Sequence, residues 1–254
     1  MTPDVVVDIG NSRVKWGRCV GGRVADRVSL APDDSTDWDR AGSNWGVSNR
    51  GERWVVASVH PTRRDRFLGW LGRHDVAVTV IADPLAVPVP MKVDEPAKVG
   101  MDRLMNALAA MRAAGPGVPT ITADIGTAIT LDLTDTSGAF VGGAIMPGPR
   151  LMAASLRDYT AALPLVDISP LLGGLPFGAN TVDAIRAGIA ALTVGGIREA
   201  VEDYAPRLGG DPHVFVTGGG REYANRLAEL LRFPVTVDPF HTLEGIRLAA
   251  EALP

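Results

Sequence analysis

The tripeptide Asp-Ile-Gly occurs twice in the chain, at residues 8–10 and 124–126, and this repetition limits the folds open to it. Each copy ends a hydrophobic segment, DVVVDI at 4–9 and PTITADI at 119–125. Short apolar runs bounded by turn residues are typical of buried strands. In both places a turn and a second strand follow, so the sequence predicts two halves that begin with the same strand–turn–strand unit.

The elements predicted around these units alternate between strands and helices. In the first half, residues 31–52 are polar and are interpreted as a surface loop, and residues 83–98 hold four prolines and are interpreted as extended or irregular. The remaining first-half segments are strands at 13–20, 23–30, 54–59 and 76–81, and helices at 61–71 and 100–114. The second half is predicted to contain strands at 128–133, 138–146, 213–218 and 234–238, and helices starting within 147–163 and spanning 180–204, 221–231 and 241–253.

This succession predicts an α/β protein with two domains, residues 1–115 and 116–254, each a mixed β-sheet flanked by helices. With 254 residues, of which 46% are hydrophobic, the chain can bury a sizeable core. A net charge of −4 gives no indication of a nucleic-acid partner, and no segment resembles a membrane span or a signal peptide. Cys19 is the single cysteine, which suits a reducing cytoplasm.

The first Asp-Ile-Gly segment has the residues of a phosphate site. A buried strand-end aspartate such as Asp8 is costly unless a cation lies near it. Gly10 lets the backbone approach a ligand, and the amides of Asn11 and Ser12 can bind an anion. Lys15, on the next strand, can reach a phosphate. Together they predict a site for a polyphosphate with bound magnesium at Asp8; a plain β-hairpin with a solvated lysine is the alternative.

The second copy favours the phosphate interpretation, because two such turns facing each other would hold both ends of a triphosphate. This is the pattern of the actin, Hsp70 and sugar-kinase superfold, two duplicated RNase H-like domains with ATP in the cleft between them. The segment VTGGG at 216–220 fits the glycine turn near the adenosine in that fold. Neither a P-loop nor a dinucleotide-binding motif occurs. The basic cluster at 63–66 is interpreted as a solvated helix face.

A third segment, GMDRLMNALAA at 100–110, places an Asp-Arg pair at the start of an apolar helix. Asp102 can accept a proton from a substrate hydroxyl, and Arg103 can bind a substrate carboxylate through its two-pronged guanidinium. The alternative is a helix cap beside a surface arginine.

Five segments occur in the order and spacing of the type III pantothenate kinases (the Bvg accessory factor family), which the chain therefore resembles. They are DIGNSRVKWG (8–17), GMDRLMNALAA (100–110), DIGTAITLDL (124–133), GGAIMPG (142–148) and FGANT (177–181). The resemblance implies transfer of the γ-phosphate of ATP to the primary hydroxyl of pantothenate, giving 4'-phosphopantothenate, the first step of coenzyme A biosynthesis. It also implies a homodimer with the active site near the subunit interface.

The resemblance also implies roles for individual residues. Asp102 corresponds to the general base, and Asp124 to the residue that holds a monovalent cation, K⁺ or NH₄⁺. The segment that binds ATP phosphates corresponds to Asp8, Ile9, Gly10, Asn11, Ser12, Arg13, Val14 and Lys15, with a further ATP contact at Thr127. The pantothenate contacts correspond to Val93, Gly100, Met101, Asp102, Arg103 and Thr181.

The chain departs from the family pattern at three positions. Ser12 replaces the usual threonine but keeps its hydroxyl, and Pro149 replaces an aliphatic residue. Val93 stands where many members have a substrate-contacting tyrosine, which removes a possible hydrogen bond to pantothenate. Two other functions therefore stay open: a kinase of the same superfold acting on another small hydroxy acid, and a non-catalytic nucleotide-binding regulator. Asp102 and Lys15 argue against the second.

Overall fold

The computed structural model describes residues 2–47, 51–168, 177–220 and 223–253. The chain divides into two compact units, Met1–Arg112 with Phe240–Pro254, and Ala113–Pro239. Within the described residues the strands and helices, in chain order, are β1 (Val5–Ile9), β2 (Val14–Val20), β3 (Arg23–Leu30), α1 (Ser35–Trp45), β4 (Arg53–Ser58), α2 (Pro61–Leu71), β5 (Ala77–Ile81), α3 (Met101–Ala114), β6 (Thr120–Ile125), β7 (Ala128–Thr134), β8 (Phe140–Pro147), α4 (Pro149–Asp158), α5 (Thr181–Tyr204), β9 (His213–Gly218), α6 (Ala224–Leu230), β10 (Val235–Val237) and α7 (His241–Ala252).

The two units contain sheets of the same topology. The first sheet has the strand order β3-β2-β1-β4-β5, and the second, read from its β8 edge, has the order β8-β7-β6-β9-β10. In each sheet the central strand, β1 or β6, pairs antiparallel with the strand that follows it and parallel with β4 or β9. The duplication predicted from the repeated tripeptide is therefore present in the strand connections.

An aromatic cluster forms much of the core of the first unit. Trp16, Trp38, Trp54 and Phe67 are fully buried, and the rings of Trp16 and Trp54 meet edge to face with centroids 5.2 Å apart. Such pairs contribute beyond the area that they bury. The core of the second unit is aliphatic, with Ile121, Ala123 and Ile125 of β6 at its centre. In both units the strand that carries the Asp-Ile-Gly segment is thus anchored in the core.

The interpretation of residues 31–52 as a loop is wrong, because α1 spans Ser35–Trp45. The Asp34 side chain accepts hydrogen bonds from Thr36 N and Asp37 N, which caps the start of the helix. Trp38 is fully buried against the aromatic cluster. The polar composition of this segment gave no indication of a helix, because the apolar stripe of α1 is narrow. The helix is stabilised by its N-cap and by tertiary packing. The part of this interpretation that covers residues 48–50 lies outside the described residues.

The last helix, α7, belongs to the first unit, although the division at residue 115 assigned it to the second. Its Gly245 lies against α3, where an added Cβ would stand 2.0 Å from the Met105 carbonyl oxygen. The Glu244 carboxylate accepts a hydrogen bond from Val24 N of β3. A glycine at 245 is therefore needed for the close approach of α7 and α3.

The helix predicted to start within 147–163 is observed as α4, Pro149–Asp158. The helix predicted over 221–231 is observed from Ala224 to Leu230, and residues 221–222 lie outside the described residues. Among the helices of the described ranges, none combines the length and the hydropathy that crossing a bilayer requires.

Candidate active site

The first Asp-Ile-Gly turn begins with a partly buried ion pair. Asp8, at the end of β1, stands opposite Lys15 in the antiparallel register of β1 and β2. Lys15 Nζ lies 3.1 Å from Asp8 Oδ2, and Asp8 is only 6% exposed. The lysine compensates the cost of burying this carboxylate, so that an ionised aspartate can stand at the base of the turn.

The turn itself is tied to the end of β4. Gly10 N donates to Arg13 O at 3.0 Å, and Ile9 O accepts from Val59 N and from Ser58 Oγ, both at 3.2 Å. The tip residues Asn11, Ser12 and Arg13 are exposed, whereas the Ile9 and Val14 side chains are fully buried. Ile9 and Val14 can therefore meet a ligand only through their backbone, and the tip through both backbone and side chains.

Arg63, on α2, also contacts this turn. Its Nη1 donates to the Asn11 carbonyl oxygen, and its Nε and Nη2 donate to Asp33 Oδ2 at 3.1 and 2.9 Å. The interpretation of the basic cluster at 63–66 as a solvated helix face is therefore wrong for Arg63, whose side chain is 21% exposed. Composition alone carried no signal for this contact, because it joins positions 52 residues apart.

The Gly100–Arg103 segment forms the start of α3. Gly100 O accepts from Arg103 N at 3.1 Å and from Leu104 N at 3.3 Å, and Asp102 Oδ1 accepts from Arg103 N at 2.9 Å. A carboxylate at this position benefits from the positive end of the helix dipole. Asp102 and Arg103 are half-buried, whereas Met101 is buried in the core. An accessible carboxylate held in this way can accept a proton from a substrate hydroxyl.

Gly100 leaves space for the Asp102 carboxylate. An added Cβ at Gly100 would lie 2.7 Å from Asp102 Oδ1. A side chain at position 100 would therefore require the carboxylate to shift. Val93 precedes the segment and is half-buried, and a 3₁₀ turn over Pro96–Lys98 separates the two.

The second Asp-Ile-Gly turn lies in the second unit and is enclosed by glycines. Asp124 stands opposite Thr130 on β7 and Thr217 on β9. Gly218, with φ of 92°, passes so close that an added Cβ would lie 2.4 Å from Asp124 Oδ1 and 2.6 Å from Ile125 O. The carboxylate therefore lies on the central strand between β7 and β9, close to the Gly218 backbone, and its register neighbours on both strands are threonines.

Two segments far apart in sequence meet at this second turn. Gly148, at the end of GGAIMPG, donates its N–H to Thr127 O at 3.0 Å, and an added Cβ there would lie 2.2 Å from Gly126 O. Gly220, at the end of VTGGG, donates its N–H to Ile125 O at 2.9 Å. Thr127 is exposed at the tip. Three predicted motifs thus form one structural element.

Thr181 is the first residue of α5 and is exposed. Asn180 caps this helix by accepting from Asp183 N at 3.0 Å. The structure therefore groups the predicted residues into two sets: Asp8–Lys15 and Gly100–Arg103 in the first unit, and Asp124, Thr127 and Thr181 in the second. No group of three or more His, Cys, Asp or Glu side chains suited to a metal ion occurs within the ranges described above.

Comparisons with known proteins agree with these motifs. A profile described as type III pantothenate kinase matches residues 5–203. A protein of Gloeobacter violaceus named type III pantothenate kinase is 34% identical over 250 residues, which cover 97% of each chain.

Solved structures share the fold at low sequence identity. A putative 2-dehydro-3-deoxygalactonokinase of Sinorhizobium meliloti matches with a TM-score of 0.59 and 12% identity, covering 98% of this chain and 96% of that one. MreB 5 of Spiroplasma citri, solved with AMPPNP, matches with a TM-score of 0.53 and 14% identity, covering 97% and 95%. They confirm the predicted fold, the duplicated α/β architecture of actin-like proteins and sugar kinases.

Proposed function

Because the chain belongs to the type III pantothenate kinase family, we propose that its first Asp-Ile-Gly turn binds the phosphates of ATP and that Asp102 activates pantothenate. Members of this family phosphorylate pantothenate in coenzyme A biosynthesis, and the chain is a kinase with ATP and pantothenate as substrates. The observation that carries the assignment of residues is the pairing of Asp8 with Lys15 beneath an exposed, glycine-containing turn.

Phosphoryl transfer depends on charge neutralisation and in-line positioning more than on covalent chemistry. Residues Asp8–Lys15 are proposed to supply the first: the turn amides at Asn11 and Ser12 bind phosphate oxygens, and Lys15 adds a point charge. A divalent metal is implied by the kinase fold, and Asp8 fits magnesium because carboxylate oxygens are its usual protein ligands. Bound magnesium would neutralise phosphate charge at this turn.

Asp102 is proposed to orient the primary hydroxyl of pantothenate and to accept its proton as the γ-phosphate is transferred. Arg103, beside it at the start of α3, is proposed to bind the pantothenate carboxylate. Gly100, Met101, Val93 and Thr181 complete the proposed substrate contacts, with Met101 contributing through its backbone because its side chain is 5% exposed.

A monovalent cation, K⁺ or NH₄⁺, is proposed to bind at Asp124, and Thr127 is proposed to contact ATP. Support comes from the carboxylate at the end of β6, with Thr130 and Thr217 as its strand neighbours. Omitting K⁺ and NH₄⁺ from the assay, with Na⁺ in their place, should lower kcat.

The chain is further proposed to be a cytoplasmic homodimer without nucleic-acid or membrane partners. The second unit exposes large apolar side chains on three successive elements: Ile145 of β8 is 65% exposed, Leu151 of α4 49% and Leu192 of α5 65%. Burying them against a second copy would remove apolar surface from water. Light scattering of the purified protein measures the mass directly; a monomer at micromolar concentration would contradict the dimer.

The decisive experiment is a substrate screen with ATP, magnesium and potassium. Pantothenate is expected to be the best acceptor among small hydroxylated acids. Val93 motivates the second candidate, a kinase for another hydroxy acid, because a valine side chain cannot donate a hydrogen bond. A clear preference for another acceptor would establish that second activity, and folded protein that binds ATP but phosphorylates none of the acids would indicate a regulator.

A further inference from the structure

The contact of Arg63 with the first turn is an interaction that none of the motifs accounts for. Arg63 lies in the first turn of α2, and its guanidinium bridges two groups, the Asn11 carbonyl oxygen and the Asp33 carboxylate. Asp33 lies just before α1, so the arginine links two loops of the first unit. Planar guanidinium groups are suited to such bridging because their donors point in fixed directions.

The bridge determines how one peptide plane in the turn is oriented. In a trans peptide the C=O of one residue and the N–H of the next point in opposite directions. The bonds about the Asn11–Ser12 peptide follow this rule, since no cis peptide occurs in the described chain. When Arg63 holds the Asn11 carbonyl, the Ser12 N–H is directed to the opposite side of the turn. A flip of this plane would instead present a carbonyl oxygen to a bound anion.

The Asp33 carboxylate fixes the position of the Arg63 guanidinium. Asp33 Oδ2 accepts from Arg63 Nε and Nη2 at 3.1 and 2.9 Å, and Asp33 Oδ1 accepts from Arg66 Nη1 at 2.9 Å. Two arginines thus share one carboxylate, and these three side chains together carry one net positive charge. Arg63, whose side chain is 21% exposed, brings part of that charge into contact with a turn that is proposed to receive phosphates.

We propose that Arg63, oriented by Asp33, is a positioning residue that holds the Asn11–Ser12 peptide with its amide side towards the ATP phosphates. The inference rests on the proposed role of residues 8–15 in ATP binding. It assigns Arg63 no direct contact with substrate and no part in proton transfer. Its effect should therefore appear in ATP affinity and leave the affinity for pantothenate unchanged.

The test compares Arg63→Met with Arg64→Met by isothermal titration of ATP with magnesium. Arg64 is on the same helix, its substitution changes the charge by the same amount, and its guanidinium pairs with the adjacent Asp65 at 2.9 Å. Losing one charge-assisted hydrogen bond should raise the ATP dissociation constant about tenfold in Arg63→Met, and Arg64→Met should stay within about twofold of the wild type. The KM for pantothenate should not change in either variant.

Two further variants separate positioning from charge and from loss of fold. Arg63→Lys keeps the charge but lacks the two-pronged geometry, so its ATP affinity should also fall; affinity equal to the wild type would overturn the positioning role. Asp33→Asn leaves Arg63 intact but weakens its orientation, and should raise the ATP dissociation constant less than Arg63→Met does. Combining Asp33→Asn with Arg63→Met should raise the ATP dissociation constant little beyond the value for Arg63→Met alone, because both substitutions act through one contact.

The outcomes distinguish this inference from the proposed function. If the wild type binds ATP but phosphorylates no pantothenate, while Arg63→Met still weakens ATP binding relative to Arg64→Met, the proposed function fails and the inference stands. Equal ATP affinity in Arg63→Met and the wild type would overturn the inference whatever the acceptor. Circular dichroism melting of each variant shows whether the fold is retained.

Discussion

Replacing Gly218 with alanine should destabilise the second unit and displace Asp124. Gly218 has φ of 92°, which costs an L-residue about 1–2 kcal/mol. The new Cβ would also stand 2.4 Å from Asp124 Oδ1 and 2.6 Å from Ile125 O. Overpacking of this kind costs about 1–3 kcal/mol. The sum is about 2–5 kcal/mol, a large part of the roughly 5–15 kcal/mol that stabilises a typical domain.

The matched control is Gly219→Ala, one residue further along. An added Cβ at Gly219 meets no atom within 4 Å, and its φ lies outside the left-handed region. Its free energy of unfolding should therefore stay within about 0.5 kcal/mol of the wild type. Adding Asp124→Ala to Gly218→Ala should recover part of the loss, because it removes the 2.4 Å contact and leaves the 2.6 Å contact with Ile125.

The assay is urea unfolding followed by two signals. All five tryptophans lie in the first unit, so their fluorescence reports on that unit, whereas circular dichroism reports on both. Gly218→Ala should lower the midpoint of the dichroism transition more than that of the fluorescence transition. Equal stability of Gly218→Ala and Gly219→Ala would refute the reasoning, since the two differ mainly in backbone conformation and in the space beside Asp124.

Four further outcomes are expected. Asp102→Asn should lower kcat by about 10²–10⁴-fold, the loss expected on removal of a general base. The ATP dissociation constant measured by titration should stay within about twofold of the wild type; unchanged kcat would show that Asp102 is not the base. Gly100→Ala should lower kcat on the order of 10²-fold, because the new Cβ would lie 2.7 Å from Asp102 Oδ1 and would displace the carboxylate. Turnover equal to the wild type would show that this carboxylate position is not needed. Lys15→Met should lower the free energy of unfolding in urea by about 1–3 kcal/mol, less than for a fully buried pair because Lys15 is 26% exposed. Adding Asp8→Asn should restore part of this stability; no loss in Lys15→Met would contradict a stabilising pair. Burial raises the pKa of Cys19 to about 12, which lowers its thiolate fraction at pH 8. Part of this loss is offset because a thiolate of higher pKa is a better nucleophile, so iodoacetamide should label Cys19 at least about tenfold more slowly in the folded protein than in urea; equal rates would contradict its partial burial.

The sequence was sufficient where local chemistry decides structure. β1 and β6 are observed at Val5–Ile9 and Thr120–Ile125, close to the predicted strands at 4–9 and 119–125. Both are apolar runs that glycine turns end, and both lie at the centre of a sheet. The repeat of this pattern was enough to predict two sheets of the same design.

Tertiary contacts decided what the sequence could not show. α7 packs on the first sheet, and its Gly245 also fits against the Met105 carbonyl of α3. No local pattern in the sequence indicates either contact. α1 was missed because its segment is mostly polar. In its middle turn the buried apolar side chains are those of Trp38 and Ala41. The hydrogen bond from Arg63 to Asn11 joins α2 to the first turn, two segments that no local pattern connects.

The most direct test of the central claim is to incubate the purified protein with ATP, pantothenate, magnesium and potassium, and to measure the products by mass spectrometry. The account predicts 4'-phosphopantothenate and ADP in equal amounts with the wild type, and a loss of about 10²–10⁴-fold in their rate of formation with Asp102→Asn. Folded wild-type protein that binds ATP and yields no phosphopantothenate would contradict it.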